Sequence, residues 1–381
     1  MRKNSQTLTT QSIPALIKQL AIPASIGMFF NTMYNVVDTF YAGLISTQAI
    51  SALTLSFMIF FLIIGFGYGF SSAITALLGN ALGKKRYKLA SIYAHKGLVF
   101  VPLIGLTLSI IGYFFAPSLF MFLGAKDEYL QISLDYINPI LFGAIFFMFN
   151  FSLNSILIAT GDTKTYRNSL IFGFFANLAL NPLFMYGFLF VPAMGIKGIA
   201  FATVLIQIIN MFYLFYKVLQ TKLIHFDKLE YFIPNLRIYK LFFTHGIPSS
   251  LNMLTMAIGS LILTYFVSHY GIQAVAGYGI GYRVEQLMLL PALGLSTAVL
   301  ALVSNNFGAK KYDRVIETLK VSLKYGFIIA TVGIIFLTIL GRLIISLFDS
   351  NPIVVDFGVS YLLIEIWIFY AYIILFVCVS T

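Results

Sequence analysis

Long apolar runs, broken by short polar and basic segments, recur along the whole chain. Ten of them read as membrane-spanning helices: 14–42, 52–82, 93–115, 129–159, 166–187, 195–218, 242–269, 277–306, 320–345 and 354–380. Each has enough residues to cross about 30 Å of hydrocarbon at about 1.5 Å per residue. The predicted architecture is an all-α integral membrane protein.

Position-by-position comparison adds a repeat. IPASIGMFF from Ile22 pairs with IPSSLNMLT from Ile247, and GNALGKKRY ending at Tyr87 pairs with SNNFGAKKY ending at Tyr312. Both pairs are offset by 225 residues, and the same offset superposes Pro23 on Pro248, Gly69 on Gly294 and Tyr136 on Tyr361. A constant offset through loops as well as helices predicts two homologous bundles, each of six helices when complete, in parallel orientation about an axis along the membrane normal. The expected organisation is an N-terminal bundle over 1–218, a charged linker over 219–241 and a C-terminal bundle over 242–381. On this offset the C-terminal bundle contributes its first four helices, so two of the expected twelve lie outside the given sequence, which reads as incomplete at its C-terminus.

Composition agrees with this pattern: 60% of residues are hydrophobic and 10% are charged, against about 25% charged in soluble domains. The net charge of +11 is a topology signal. Of the 24 lysines and arginines, 20 fall on the side of the N-terminus, three (Lys126, Lys197, Arg342) on the other, and Arg283 within a span. The positive-inside rule then places the N-terminus in the cytoplasm, in a multi-pass protein of the cytoplasmic membrane. A nucleic-acid partner is not expected. The polar start MRKNSQTLTTQS and the long run after it do not read as a cleaved signal peptide. One cysteine, Cys378, excludes an intrachain disulfide and a cysteine metal cluster, and the four histidines show no ligand spacing. No catalytic constellation stands within the spans, so an enzyme is not expected, nor is a cofactor.

The polar residues inside the spans fall at helical spacing. Asn31, Tyr34, Asn35 and Asp38 share one face of the first span; Asn150 and Asn154 share one in the fourth; Asn177 and Asn181 in the fifth; Thr203, Gln207 and Asn210 in the sixth. Pro182 cannot donate a backbone hydrogen bond to the Leu178 carbonyl. Asp38 is the only charged residue between Lys18 and Lys84, and a carboxylate in hydrocarbon is costly enough to mark a working group. Among amide and hydroxyl oxygens it can hold Na⁺, or it can cycle a proton. Its repeat partner is Leu263, so the first half carries the better ion site. Glu285 and Glu365 are the intramembrane acids of the second half, and Glu285, with Asn31, Asn35, Asn154 and Gln207, is a candidate for lining a substrate cavity.

The segments PASIGMFFNTMYNVVDTFYAG, ATGDTKTYRN, NLALNPLF, GIKGIAFATVLIQ, GIPSSLNML and GYGIGYRVEQLMLLPALGLSTAVLALVSNNFGAKKYDR resemble the multidrug and toxic compound extrusion (MATE) family over essentially the whole chain. The resemblance implies twelve helices in two bundles around a V-shaped cavity, and efflux of amphipathic or cationic small molecules by antiport against Na⁺ or H⁺, from a monomer. By motif, Asp38 resembles the family's first-helix carboxylate, with Tyr34 one turn away. Asn177 and Thr203 match its cation site, and Pro23 matches the proline at which the first helix bends. Asn181 stands where many bacterial members have Asp, which leaves the coupling ion open between Na⁺ and H⁺. The alternative cargo within the wider superfamily is a lipid-linked precursor, for which a strongly cationic cavity is expected.

Overall fold

A computed structural model describes residues 7–188, 191–348 and 351–381. The helices are α1 (Ile13–Ile45), α2 (Thr47–Gly83), α3 (Tyr87–Phe122), α4 (Asp127–Ala159), α5 (Lys164–Tyr186), α6 (Ile196–Gln220), α7 (Leu236–Ser268), α8 (Ile272–Gly308), α9 (Tyr312–Ser346), α10 (Pro352–Glu365) and α11 (Phe369–Val379). No strand occurs among the described residues beyond a single bridge from Phe188 to Val191. Helices α1–α6 form one lobe and α7–α11 the other.

Most of the helices outrun the apolar runs that predict them at one end or both. The 37 residues of α2 reach about 55 Å, because the backbone hydrogen-bond ladder continues past the hydrocarbon into polar sequence. The last predicted span is not one helix. A 3-10 turn at Ile366–Ile368 separates α10 from α11, directly after Glu365. Apolar periodicity reports burial in lipid and is blind to such a local tightening. The surface has the polarity of a membrane protein: Phe114, Phe115 and Phe142 are exposed, whereas Asp38, Asn177 and Asn181 are buried.

The repeat is visible in the packing between lobes. Gly69 of α2 lies against Ser250 of α7, and Gly294 of α8 lies against Ser25 of α1 in the same way. The two serines make the same bond, Oγ donating to Ala21 O at 3.0 Å and to Gly246 O at 2.9 Å. Nearer the basic loops, a Cβ on Gly83 would stand 2.0 Å from the Asn305 carbonyl oxygen, and one on Gly308 would stand 2.2 Å from that of Asn80. Only glycine allows these backbones to approach so closely. Even the turns correspond, with Lys85 and Lys310 at φ of 56° and 58°.

The end that carries the basic loops is closed. Asn305 Nδ2 donates to Ala159 O at 3.0 Å across the lobes, and Asn306 Nδ2 to Leu8 O at 3.1 Å. Lys311 Nζ and Arg314 Nη2 donate to the carbonyls of Thr9 and Gln11, at 2.8 and 2.6 Å. Helix α1 takes part in both lobes. Ile13, Leu16, Ile17 and Leu20 join the core built around α8 and α9, while the segment beyond Pro23 packs on α5.

The connection between the lobes is strapped to α3. Ser91 Oγ donates to Leu223 O at 2.6 Å, and the His225 backbone N–H donates to His95 Nε2 at 3.0 Å. The buried Lys96 ammonium donates to the carbonyls of Ile233 and Glu230. His95 and Lys96 therefore hold the chain in place, a role that ligand spacing does not reveal.

Candidate functional site: a carboxylate on the wall of a cavity between the lobes

The polar faces of α1, α4, α5 and α6 converge. Asp38 is 3% exposed and receives three neutral donors. Asn177 Nδ2 and Asn181 Nδ2 donate to its Oδ1 at 2.8 and 2.9 Å, and Thr203 Oγ1 donates to its Oδ2 at 3.2 Å. The four-residue spacing on α5 sets both amides side by side, and each also donates to the other's Oδ1, at 3.4 and 3.2 Å. The amide groups thus present nitrogen to the carboxylate, the arrangement suited to an anion. Hydrogen bonds to an ionised group contribute about 1.5–3 kcal/mol each, which offsets part of the burial cost. No Lys or Arg among the described residues pairs with Asp38; the ion pairs found are Lys197–Asp135 and Arg342–Asp356.

Pro182 has the consequence that its chemistry dictates. The Leu178 carbonyl, left without its helical donor, accepts from Tyr41 Oη at 3.0 Å. This bond ties α1 to α5 one turn beyond Asp38.

Asp38 borders a cavity of about 280 Å³. Asn31, Tyr34, Asn35, Asn154, Thr203 and Gln207, all singled out by sequence, line it as well, whereas Asn177 and Asn181 stand behind Asp38 outside it. The far wall comes from the other lobe, through Met253, Leu290, Leu293, Thr297 and Leu300. Sequence reasoning missed Arg167, Tyr68, Tyr136 and Tyr166, which line the cavity from α5, α2 and α4. Arg167 counted only as a loop charge; its guanidinium donates from Nε and Nη2 to Asn168 Oδ1 at 3.0 and 2.7 Å. For Tyr136 a signal existed, its match to Tyr361 in the repeat.

Glu285 is not part of this cavity, contrary to expectation. It is buried inside the C-lobe, where Tyr361 Oη donates to its Oε2. Glu365 accepts from Tyr372 Oη at 3.5 Å. The reason is helix phase: Glu285 occupies the face of α8 that packs on α10, while Leu293, Thr297 and Leu300 occupy the face turned to the cavity. Pro23 lies within continuous helix, at the point where α1 passes from one lobe's core to the other's.

Known proteins share this architecture. The probable multidrug resistance protein YoeA of Bacillus subtilis is 29% identical over 377 residues, covering 96% of this chain and 81% of its own. An FAD transporter of Shewanella oneidensis is 25% identical, covering 95% and 80%. A MATE-family multidrug resistance transporter solved in an outward-facing conformation superposes with a TM-score of 0.87 over 99% of this chain and 85% of its own, at 24% identity. The family model MatE matches residues 23–183 and 248–381. Those segments take in most of both lobes, and the chain belongs to the MatE family of multi-pass membrane transporters.

Proposed function

We propose that this protein exports cationic or amphipathic small molecules across the cytoplasmic membrane by antiport against H⁺ or Na⁺. The observation that carries the reading is Asp38: a buried carboxylate on a cavity wall, with three neutral donors and, among the described residues, no cationic side chain bound to it. An anion without a fixed partner can recruit a mobile one. The ion is cargo in this scheme. A proton would bind the carboxylate directly, with the buried Tyr34 hydroxyl one turn away. Na⁺ would be held by Asp38 and Thr203 once Asn177 and Asn181 turn their amide oxygens inward. Either ion removes the charge that organises the amide shell, so α1, α5 and α6 repack around it. Residues 1–218 and 242–381 move as the two bodies of a monomer, with 219–241 as their connection and the N-terminus in the cytoplasm.

The multidrug relative supports this cargo. An FAD-carrying relative shows the family name alone is insufficient, but here the cavity sets one Asp against one Arg, which does not make the strongly cationic chamber a lipid-linked anionic precursor needs. The test is export of a fluorescent cation from vesicles with a pH gradient and a Na⁺ gradient imposed separately. Export driven by one of them supports the reading, and export indifferent to both sinks it.

A further inference from the structure

Residues 7–12, which precede α1, lie in the seam of the closed end, between the α4–α5 turn of one lobe and the α8–α9 turn of the other. Side chains of the C-lobe grip their backbone. Asn306 Nδ2 donates to Leu8 O at 3.1 Å, Arg314 Nη2 donates to Leu8 O at 3.4 Å and to Gln11 O at 2.6 Å, and Lys311 Nζ donates to Thr9 O at 2.8 Å. Arg314 Nε also donates to Asn306 Oδ1 at 2.9 Å, which turns the buried Asn306 amide nitrogen towards the segment. The repeat does not require this grip, since Asn306 aligns with Ala81 and Arg314 with Leu89. Towards the N-lobe the contact is of another kind. The Leu8 side chain is buried, and a Cβ on Gly161 would stand 3.0 Å from its Cδ2. Gly161, at φ of 85°, turns the chain from α4 into α5, so Leu8 packs on a bare Cα.

From this we infer that residues 7–12 are a bolt carried by the C-lobe, with Leu8 as the tip that seats in the N-lobe when the basic end is closed and withdraws when it opens. The inference rests on the two-body motion of the efflux reading. The two turns that flank the segment are joined directly, Asn305 Nδ2 donating to Ala159 O. Opening this end must part them, and the segment cannot then keep both of its attachments. The two sides differ in what letting go costs. On the C-lobe side the bond from Asn306 is buried, and breaking it leaves an amide bare; the bonds from Arg314 and Lys311 are charge-assisted. On the N-lobe side an apolar side chain leaves an apolar seat, a non-directional contact that re-forms whenever the surfaces return. The first turns of α1 take the same side, because Ile13, Leu16, Ile17 and Leu20 pack in the core with α8 and α9. The segment therefore stays with the C-lobe, and Leu8 is the part that moves.

The test is pulsed electron paramagnetic resonance on the full chain in nanodiscs, in a Cys378→Ser background because Cys378 is an exposed free thiol. Spin labels at the exposed positions Lys164→Cys on α5 and Asp313→Cys on α9 report the opening. A label at Thr10→Cys, paired with either, reports which lobe the segment follows. Leu8→Ala is expected to raise the open, long-distance population of the 164–313 pair at least about tenfold, as loss of a seated leucine implies. Leu8→Met is expected to hold it at the wild-type level. In the open population the distance from position 10 to position 164 should lengthen while that from 10 to 313 stays. Arg314→Leu should instead broaden the distance from 10 to 313. If alanine is not tolerated, Leu8→Val repeats the measurement with a smaller rise. A 164–313 distribution that these Leu8 substitutions leave at wild type overturns the inference; so does a segment that keeps its distance to 164 and parts from 313. Vesicle export separates this from the efflux reading. The expected distance changes without gradient-driven export contradict efflux and leave the bolt standing, whereas gradient-driven export with unmoved distances in Leu8→Ala does the reverse.

Discussion

The interiors of the two lobes follow one plan at their contact and different plans at their charges. Where the lobes meet, Gly69 and Gly294, Ser25 and Ser250, and Gly83 and Gly308 occupy equivalent places in near-identical environments. Inside the lobes the correspondence fails. Asp38, served by two amides and a hydroxyl, aligns with Leu263; Glu285, served by Tyr361, aligns with Phe60. Close backbone approach constrains both copies of a repeat, because a single Cβ would separate the lobes. A buried charge needs only one set of donors, so each lobe is free to place its own. The Asp38 shell adjoins the cavity, while Glu285 faces a tyrosine inside its own lobe, and the account assigns ion coupling to the first.

That contrast can be broken in order of expected effect. Asp38→Asn should reduce gradient-driven efflux of a fluorescent cation to the background of cells lacking the protein, because the amide keeps the shape and removes the ion's binding group. Glu285→Gln, which keeps an acceptor for Tyr361, should leave efflux within a few-fold of wild type in the same assay. Comparable losses from both substitutions would erase the distinction between the lobes. Gly83→Ala should cost about 1–3 kcal/mol of the closed arrangement at the basic end, read as a wider distance between spin labels on α2 and α8. Gly308→Ala should match it if the pseudo-symmetry is real in solution. Tyr41→Phe should be the mildest, removing the donor to the Leu178 carbonyl at about 1 kcal/mol, read as a small drop in melting temperature.

Much of the architecture was legible because lipid imposes a simple rule: twenty apolar residues, then charge. The ten spans, the repeat and the polar stripes all follow from residue order and helical phase. Asp38, Asn177, Asn181 and Thr203 came together as expected, since each stripe is a local 3.6-residue signal. Which stripes face each other is a tertiary fact, and there the reading thinned. Arg167 looked like a loop charge because its place on the cavity wall depends on where α1 crosses α5 at Gly27. Glu285 looked like a cavity residue because its depth in the membrane is readable and its azimuth against α10 is not. The break comes directly after Glu365, a charge that apolar periodicity alone does not read as a helix boundary.

The central claim, that Asp38 carries the coupling ion, is tested most directly by ion flux driven by substrate. In proteoliposomes with no imposed gradient, an outward pulse of dansylcadaverine should drive counterflow of H⁺ or of Na⁺, recorded with a pH-sensitive dye and a Na⁺-sensitive one. The account predicts one of the two signals in the wild type, the same signal in Glu285→Gln, and neither in Asp38→Asn. Ion counterflow of wild-type size in Asp38→Asn would contradict it.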